Sequence, residues 1–581
     1  MEHRNCQNCK NDFIIEAEDF AFYDKIHVPA PTFCPECMLQ RRMMFRNERT
    51  LYKRQNNAPS KIGENIVSIH RPETGYTVYD DKTWWGDSWD PIDHGSGYDF
   101  SKPFFEQFHE LYKNIPLINL SVTNMVNCEY CNVAEGDKGC FMTTASNNNE
   151  DCLYGNRLSN NTNCVDSYIL TKVNSSYETI NCSNSYKIYY SNNSVECSDS
   201  YFLFDCQNCI DCIGCINLKN KSYCILNQQY SREEYKEIKN KLNLNSHSGI
   251  QEFSKIFDDF KLKNFHKYSN VFKCVNSTGD NIENSKNVIN GYDIYDAEDC
   301  KNVTWGGYGM RDSYCSGPGV GIQSELIYDS FDTALGVSQC YFTSVAYHSL
   351  DIQYSINCHN SSHLFGCIGL RKKEYCILNK QYTKSEYEEL LPKIKQHMMD
   401  MPYVDKLGRI FTYGEFFPYD ISPFSYNETV AQEYYPLSKD EAIKNGFSWY
   451  DRESRNYNID IKQEDIPDTI DQVDESILNQ IIECAGNNNE KTGCTGAFKI
   501  VLRELEFYKM NNLPLPHYCP NCRHFNRLKQ RNPMKLWHRK CMCDKQNHNH
   551  DGVCPNEFET SYVPERPEII YCEKCYQQEV I

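Results

Sequence analysis

No stretch of the 581-residue sequence approaches 18 uninterrupted apolar residues, so no membrane-spanning helix and no membrane partner are expected. Residues 1–10 have neither the apolar core of a secretory signal nor the character of a transit peptide, and we expect a cytoplasmic, reducing setting. Also missing are a Gly-Lys-Ser/Thr phosphate loop, a His-Glu-x-x-His motif and a nucleophile elbow; the glycine-rich segment from Gly317 to Gly321 reads as a turn. No catalytic residue set stands out, and a non-enzymatic protein is expected. Net positive charge is absent too. With 79 acidic against 60 basic residues the formal charge is −19, which excludes wholesale coating of nucleic acid but leaves room for local basic patches.

Cysteine, by contrast, is abundant at 32 residues, and in a reducing compartment that abundance points to metal rather than to disulfides. Its arrangement is repeated at the two ends of the chain. Cys494, Phe498, Phe507, Tyr508, Pro514, Pro516, Cys519, Cys522, Arg527, Arg531 and Arg539 each have an identical residue 485 positions upstream, from Cys9 and Phe13 to Arg46 and Arg54. The pairs Cys34/Cys37 and Cys519/Cys522 have the two-residue gap that lets two thiolates of one tight turn share a zinc ion. Cys6 and Cys9 supply a second such turn; at the other end Cys484 and Cys494 do so with nine residues between them. A hairpin followed by a helix starting at the second turn is the treble-clef arrangement, in which zinc replaces a core that so few residues cannot build.

The repeat continues with seven residues added: Phe558, Pro564, Tyr571, Cys572 and Cys575 align with Ile66, Pro72, Tyr79, Asp80 and Thr83. Each end therefore reads as two modules in tandem. The last is expected to bind zinc through Cys543, Cys554, Cys572 and Cys575, with Cys541, His548 and His550 near enough to compete. In the N-terminal copy the matching positions are Asn56 or Ala58, Ile62, Asp80 and Thr83, so that module is expected to have lost its metal, with Trp84, Trp85 and Trp89 as replacement core. About three zinc ions are expected in all.

Beside the second turn of each first module lies a basic segment. Arg41, Arg42 and Arg46, and again Arg523, Arg527 and Arg531, interleaved with aromatic residues, could hold phosphates and stack bases. The bland alternative is a solvated helix face that offsets acidic neighbours, which is what charge runs usually are.

From about 126 to 395 the texture changes to short segments dense in Asn, Ser, Tyr and Cys. Copies of Cys-x-Asp/Asn-Ser-Tyr begin at Cys164, Cys182 and Cys197, and these steps of 15 and 18 residues suit the coils of a parallel β-solenoid with an inward Cys/Asn ladder. Irregular cysteine-bearing loops are the alternative. The segment from Cys215 to Tyr230 recurs 152 residues later as Cys367 to Tyr382, each copy running into a helix with a capping-box start, Ser231 with Glu234 and Thr383 with Glu386. Within this region Cys206, Cys209, Cys212 and Cys215 look like the thiolate run of an iron–sulfur or zinc site, although Cys209 and Cys212 correspond to Ser361 and Leu364 in the second copy.

The expected architecture is multidomain, α+β and all-β: tandem treble-clef modules at both termini flanking a central parallel β-solenoid in two halves. Its units are a zinc module at 1–55, a metal-free module at 56–95, a linker helix at 96–125, solenoid halves with capping helices at 126–245 and 273–396, and a connecting helix at 246–272. An aromatic connector with a helix follows at 397–480, then zinc modules at 481–540 and 541–581.

The run from Cys6 to Arg42 is similar to a treble-clef zinc-ribbon domain found in many bacterial proteins, over about 40 residues at each end, and the whole chain more loosely resembles a group of large bacterial zinc-ribbon proteins. The resemblance implies zinc at the matching cysteines and carries no substrate. The expected function is a zinc-binding scaffold or interaction protein with a protein partner; the alternatives are nucleic-acid or ribonucleoprotein binding through the Arg-rich segments, and an enzyme with a site on the solenoid face.

Overall fold

A computed structural model describes residues 1–452 and 457–580, so 453–456 of the expected connector and the last residue lie outside the described residues. It is a mixed α/β structure in which many parallel strands form two large stacks, with tetrads of cysteine near both termini.

The first stack contains a six-stranded and a seven-stranded sheet between Val122 and Gln229. Asn156 pairs with Tyr168 and Tyr168 with Ile180; on the other sheet Asn174 pairs with Tyr186, Tyr186 with Ser198 and Ser198 with Ile210. Parallel partners therefore lie 12 residues apart, not the 15 or 18 expected from the Cys164, Cys182 and Cys197 copies. The reason is a shorter unit. From Asn124 to Leu226 every third residue has positive φ, mostly near +50°, and the residue after it faces inward. Cys128, Cys131, Cys140, Cys152, Cys164, Cys182, Cys197, Cys206, Cys209, Cys212, Cys215 and Cys224 all fall in that inward phase, spaced by multiples of three. Recurrences of 15 and 18 thus join different sides of the stack. Left-handed backbone costs an ordinary side chain energy and Asn or Asp least, which explains the abundance of Asn and Asp here.

The second stack is one branched sheet between Val271 and Gln381, with the same step where Leu350 pairs with Ser362 and Ser362 with Glu374, and a step of 13 where Glu325 pairs with Ser338. Both stacks end alike. An antiparallel turn joins Cys224 to Gln229 and Cys376 to Gln381, and a helix follows, Arg232–Lys241 or Lys384–Asp400, each with the capping box at Ser231/Glu234 or Thr383/Glu386. Tyr235 and Tyr387 are buried on these helices, each meeting a stack tyrosine edge to face at 5.7 Å, Tyr223 and Tyr375. Helix His247–Lys263 lays Phe253 and Phe257 against Phe202, and helix Phe104–Asn114 puts Phe104 against Tyr354 and Phe365.

The terminal modules repeat at the level of structure. In the first modules, hairpins Glu2–Asn5/Asp12–Ile15 and Ile482–Glu483/Ala497–Phe498 precede helices Pro35–Met43 and Pro520–Leu528. In the second modules, hairpins Tyr52–Gln55/Asn65–Ser68 and Trp537–Lys540/Glu557–Thr560 precede helices Asp81–Trp85 and Glu573–Glu579. Each second module also pairs a parallel strand with the segment that leads into a stack, as a separate two-stranded sheet: Val78–Tyr79 beside Leu117–Ile118, and Ile569–Tyr571 beside Phe265–Lys267. The first modules cross over. The N-terminal one docks on the second stack and the C-terminal one on the first.

Candidate metal centres

Four groups of side chains place all their ligand atoms within 4.8 Å of one another, and each can hold a metal ion: Cys6, Cys9, Cys34 and Cys37; Cys484, Cys494, Cys519 and Cys522; Cys541, Cys554, Cys572 and Cys575; and Cys543, His548, His550 and Cys575. A tetrahedral ion with thiolate bonds of about 2.3 Å requires sulfur–sulfur separations of about 3.8 Å. The structure has Cys9 to Cys34 at 3.7 Å, Cys484 to Cys494 at 3.6 Å, Cys484 to Cys522 at 3.9 Å and Cys554 to Cys572 at 3.9 Å.

Local backbone explains the convergence. Cys34, Cys519 and Cys572 are each the residue before the first turn of a helix, so the second cysteine of each pair, three residues on, lies in that first turn. The amide of the leading cysteine points at a sulfur across the site: Cys34 N to Cys6 Sγ at 3.3 Å, Cys519 N to Cys484 Sγ at 3.1 Å and Cys572 N to Cys541 Sγ at 3.2 Å. Further donors are Asn8 to Cys37, Gly486 to Cys484, Gly496 to Cys494 and Asn556 to Cys572. Such N–H donors favour the charged thiolate over the thiol, the form a metal requires. Gly486 leaves no room for a side chain: a Cβ there would stand 2.4 Å from Cys522 Sγ and 3.0 Å from Cys494 Sγ.

The third tetrad differs from expectation in one member. Cys541, not Cys543, joins Cys554, Cys572 and Cys575, while Cys543 lies with His548, His550 and Cys575. The signal was in the repeat, since Cys541 occupies the position of Asn56, whose amide reaches the Asp80 carboxylate at 2.8 Å in the N-terminal copy. No thiols converge in that copy. Instead Asp80 accepts from Asn56, from the amide and hydroxyl of Thr83, and from Lys61 Nζ at 2.7 Å, while Ala58, Tyr79, Trp84 and Ile118 form a small core with Trp89 against it. Trp85, expected in that core, is exposed on one side and packs on His359.

The Cys206 to Cys215 run takes a different course. Among the described residues these four thiols are not gathered into a convergent group. The three-residue spacing gives each an inward place on the stack, where its S–H faces two backbone carbonyls: Cys206 those of Phe204 and Cys215, Cys209 those of Gln207 and Leu218. Elsewhere in the stacks burial pushes the thiols of Cys182, Cys300 and Cys358 up to about 12, which keeps them protonated and unreactive.

The arginines do not form a basic surface. Arg41 and Arg42 both reach Asp329, Arg41 also reaches Glu415, and Arg46 pairs with Glu48 and Asp332. At the other end Arg523 and Arg527 both reach Asp166, Arg523 also reaches Glu504, and Arg531 pairs with Asp293. Arg41, Arg42, Arg523 and Arg527 are at most 3 % exposed, so a phosphate has no access to them. Burial pushes the Glu178 carboxyl up to about 7 against the pull of the Arg527 guanidinium beside it. These segments are docking elements: in each first module, two arginines of the helix that starts at a cysteine pair clamp one aspartate of a stack.

The chain matches no protein-family model and none of the curated proteins. The likeness to zinc-ribbon domains thus rests on the cysteine groups themselves. Among the described residues no helix is long and apolar enough to cross a membrane.

Proposed function

We propose that this protein is a zinc-held scaffold without enzymatic activity. Its two parallel stacks are the halves of a β-solenoid with 12-residue coils, and three treble-clef zinc modules lock their ends. The observation that carries this reading is the coincidence of ligand and docking element: Cys34/Cys37 and Cys519/Cys522 open the helices whose arginines clamp Asp329 and Asp166. Metal loss would release the very helices that tie the ends of the chain to its middle. Closed sets of four thiolates are the signature of structural rather than catalytic zinc. The partner we propose is a protein, because a net charge of −19 with its docking arginines internally paired repels polyanions. Elemental analysis of protein purified under reducing conditions tests this. Zinc without iron is expected, together with loss of the folded ends on chelation; iron, or a metal-free folded protein, would contradict it.

A further inference from the structure

The fourth ligand group shares Cys575 with the third tetrad, and its histidines are held as metal ligands are held. His548 directs Nδ1 at Cys543 Sγ, 3.1 Å away, while its Nε2 meets the Glu579 carboxylate at 2.9 Å. His550 directs Nε2 at Cys575 Sγ, 3.5 Å away, while its Nδ1 meets the Gly552 carbonyl at 2.9 Å. In both rings one nitrogen meets an oxygen that accepts a hydrogen bond from its N–H, which leaves the other nitrogen's lone pair turned toward the same point as two thiols. Carboxylate or carbonyl behind an imidazole is the usual support that fixes tautomer and ring orientation at metal sites. The two thiols and His548 are largely shielded from solvent: Cys543 is fully buried, Cys575 2 % exposed and the His548 side chain 4 % exposed.

We propose that the last module holds two metal ions rather than one. The first is bound by Cys541, Cys554, Cys572 and Cys575, the second by Cys543, His548, His550 and Cys575, with the Cys575 thiolate bridging them. Two thiolates and two imidazoles in a closed set select a borderline-soft divalent ion, zinc first. The bridge explains why the segment between Cys543 and Cys554 is long enough to carry both histidines, whereas the metal-free N-terminal copy is seven residues shorter and has none. This inference rests on the reading that the cysteine tetrads bind zinc, and the test separates the two.

The experiment is zinc content per chain for the full-length protein and for His548→Ala and Cys543→Ser, neither of which is a member of the tetrad, with circular dichroism as a check on folding. Four zinc ions are expected in the parent and three in each variant. Three ions in the parent and in both variants would overturn the second ion and leave the tetrads standing; fewer than three in the parent would instead strike the tetrad reading. Substitution with Co(II) examines the bridge. Two ions joined through one thiolate couple magnetically, so four bound cobalts should give the electron paramagnetic resonance intensity of about two uncoupled ions, and full intensity from all four would overturn the sharing of Cys575.

Discussion

The second modules of the two ends are built on one hairpin-and-helix plan and hold it together by different chemistry. At residues 541–575 thiols and imidazoles converge as a metal would gather them; at residues 56–83 a carboxylate, an ammonium, an amide and a hydroxyl close on one another directly. Asp80 stands where Cys572 stands, before the first turn of the helix, and Lys61 brings the positive charge that a bound ion would bring at the other end. The comparison teaches that one hairpin-and-helix plan can be closed at this point either by converging metal-ligand side chains or by a carboxylate and an ammonium. In the N-terminal copy an ammonium tethered to the chain closes the link without a metal ligand.

The strongest way to break the symmetry is at the paired positions themselves. Cys572→Ser should lose the bound zinc and unfold the last module, since apparent zinc-binding free energies in such small domains are about 10–16 kcal/mol. Metal content and hydrogen exchange over 541–580 would record it. Next in size are the arginine clamps, which should behave alike at the two ends. Arg527→Ala and Arg42→Ala each leave a buried aspartate with one arginine instead of two, and each is expected to cost about 3–5 kcal/mol in denaturant unfolding. A large effect at one end only would mean that the crossed docking is not equivalent.

Asp80→Ala removes the acceptor for Asn56, Lys61 and Thr83 together, and about 3 kcal/mol is expected, measured as local opening of residues 52–85. Burial alone would raise the Asp80 carboxyl, but hydrogen bonds from Lys61, Thr83 and Asn56 hold it well below its usual 3.8. Its contribution is therefore fully present above pH 3.8 and is lost only as pH falls toward the lowered folded value, whereas thiolate sites release metal as soon as protons compete for sulfur. Mild acid should thus open the C-terminal copy first. The smallest effect is expected at the caps of the two stacks: Ser231→Ala and Thr383→Ala should each cost about 1 kcal/mol, and equally, because the two capping boxes have the same geometry.

The parts of this molecule that could be read from the chain are those whose chemistry is local. Cys34/Cys37 and Cys519/Cys522 announce themselves by a two-residue gap, and the boxes at Ser231/Glu234 and Thr383/Glu386 by a three-residue one. The three-residue unit of the first stack was hidden because the left-handed positions hold not only Asn and Asp but also Tyr130, Arg157, Ile169, Lys187 and Phe202, whose side chains give no hint of positive φ. The cysteines alone kept the phase. The burial of Arg42 and Arg527 was out of reach for another reason: each is neutralised by an aspartate more than 280 residues away in sequence, and a basic run looks the same whether it meets solvent or a distant carboxylate. The choice between Cys541 and Cys543 was legible in principle, through Asn56, once the repeat is taken as a statement about contacts and not only about ligands.

The most direct test of this account is hydrogen exchange along the whole chain before and after zinc is chelated under reducing conditions. Protection should collapse over residues 6–37, 484–522 and 541–575 and persist over 52–85, where Asp80 and Lys61 take the place of metal. Equal collapse of all four modules, or no change in any, would contradict it.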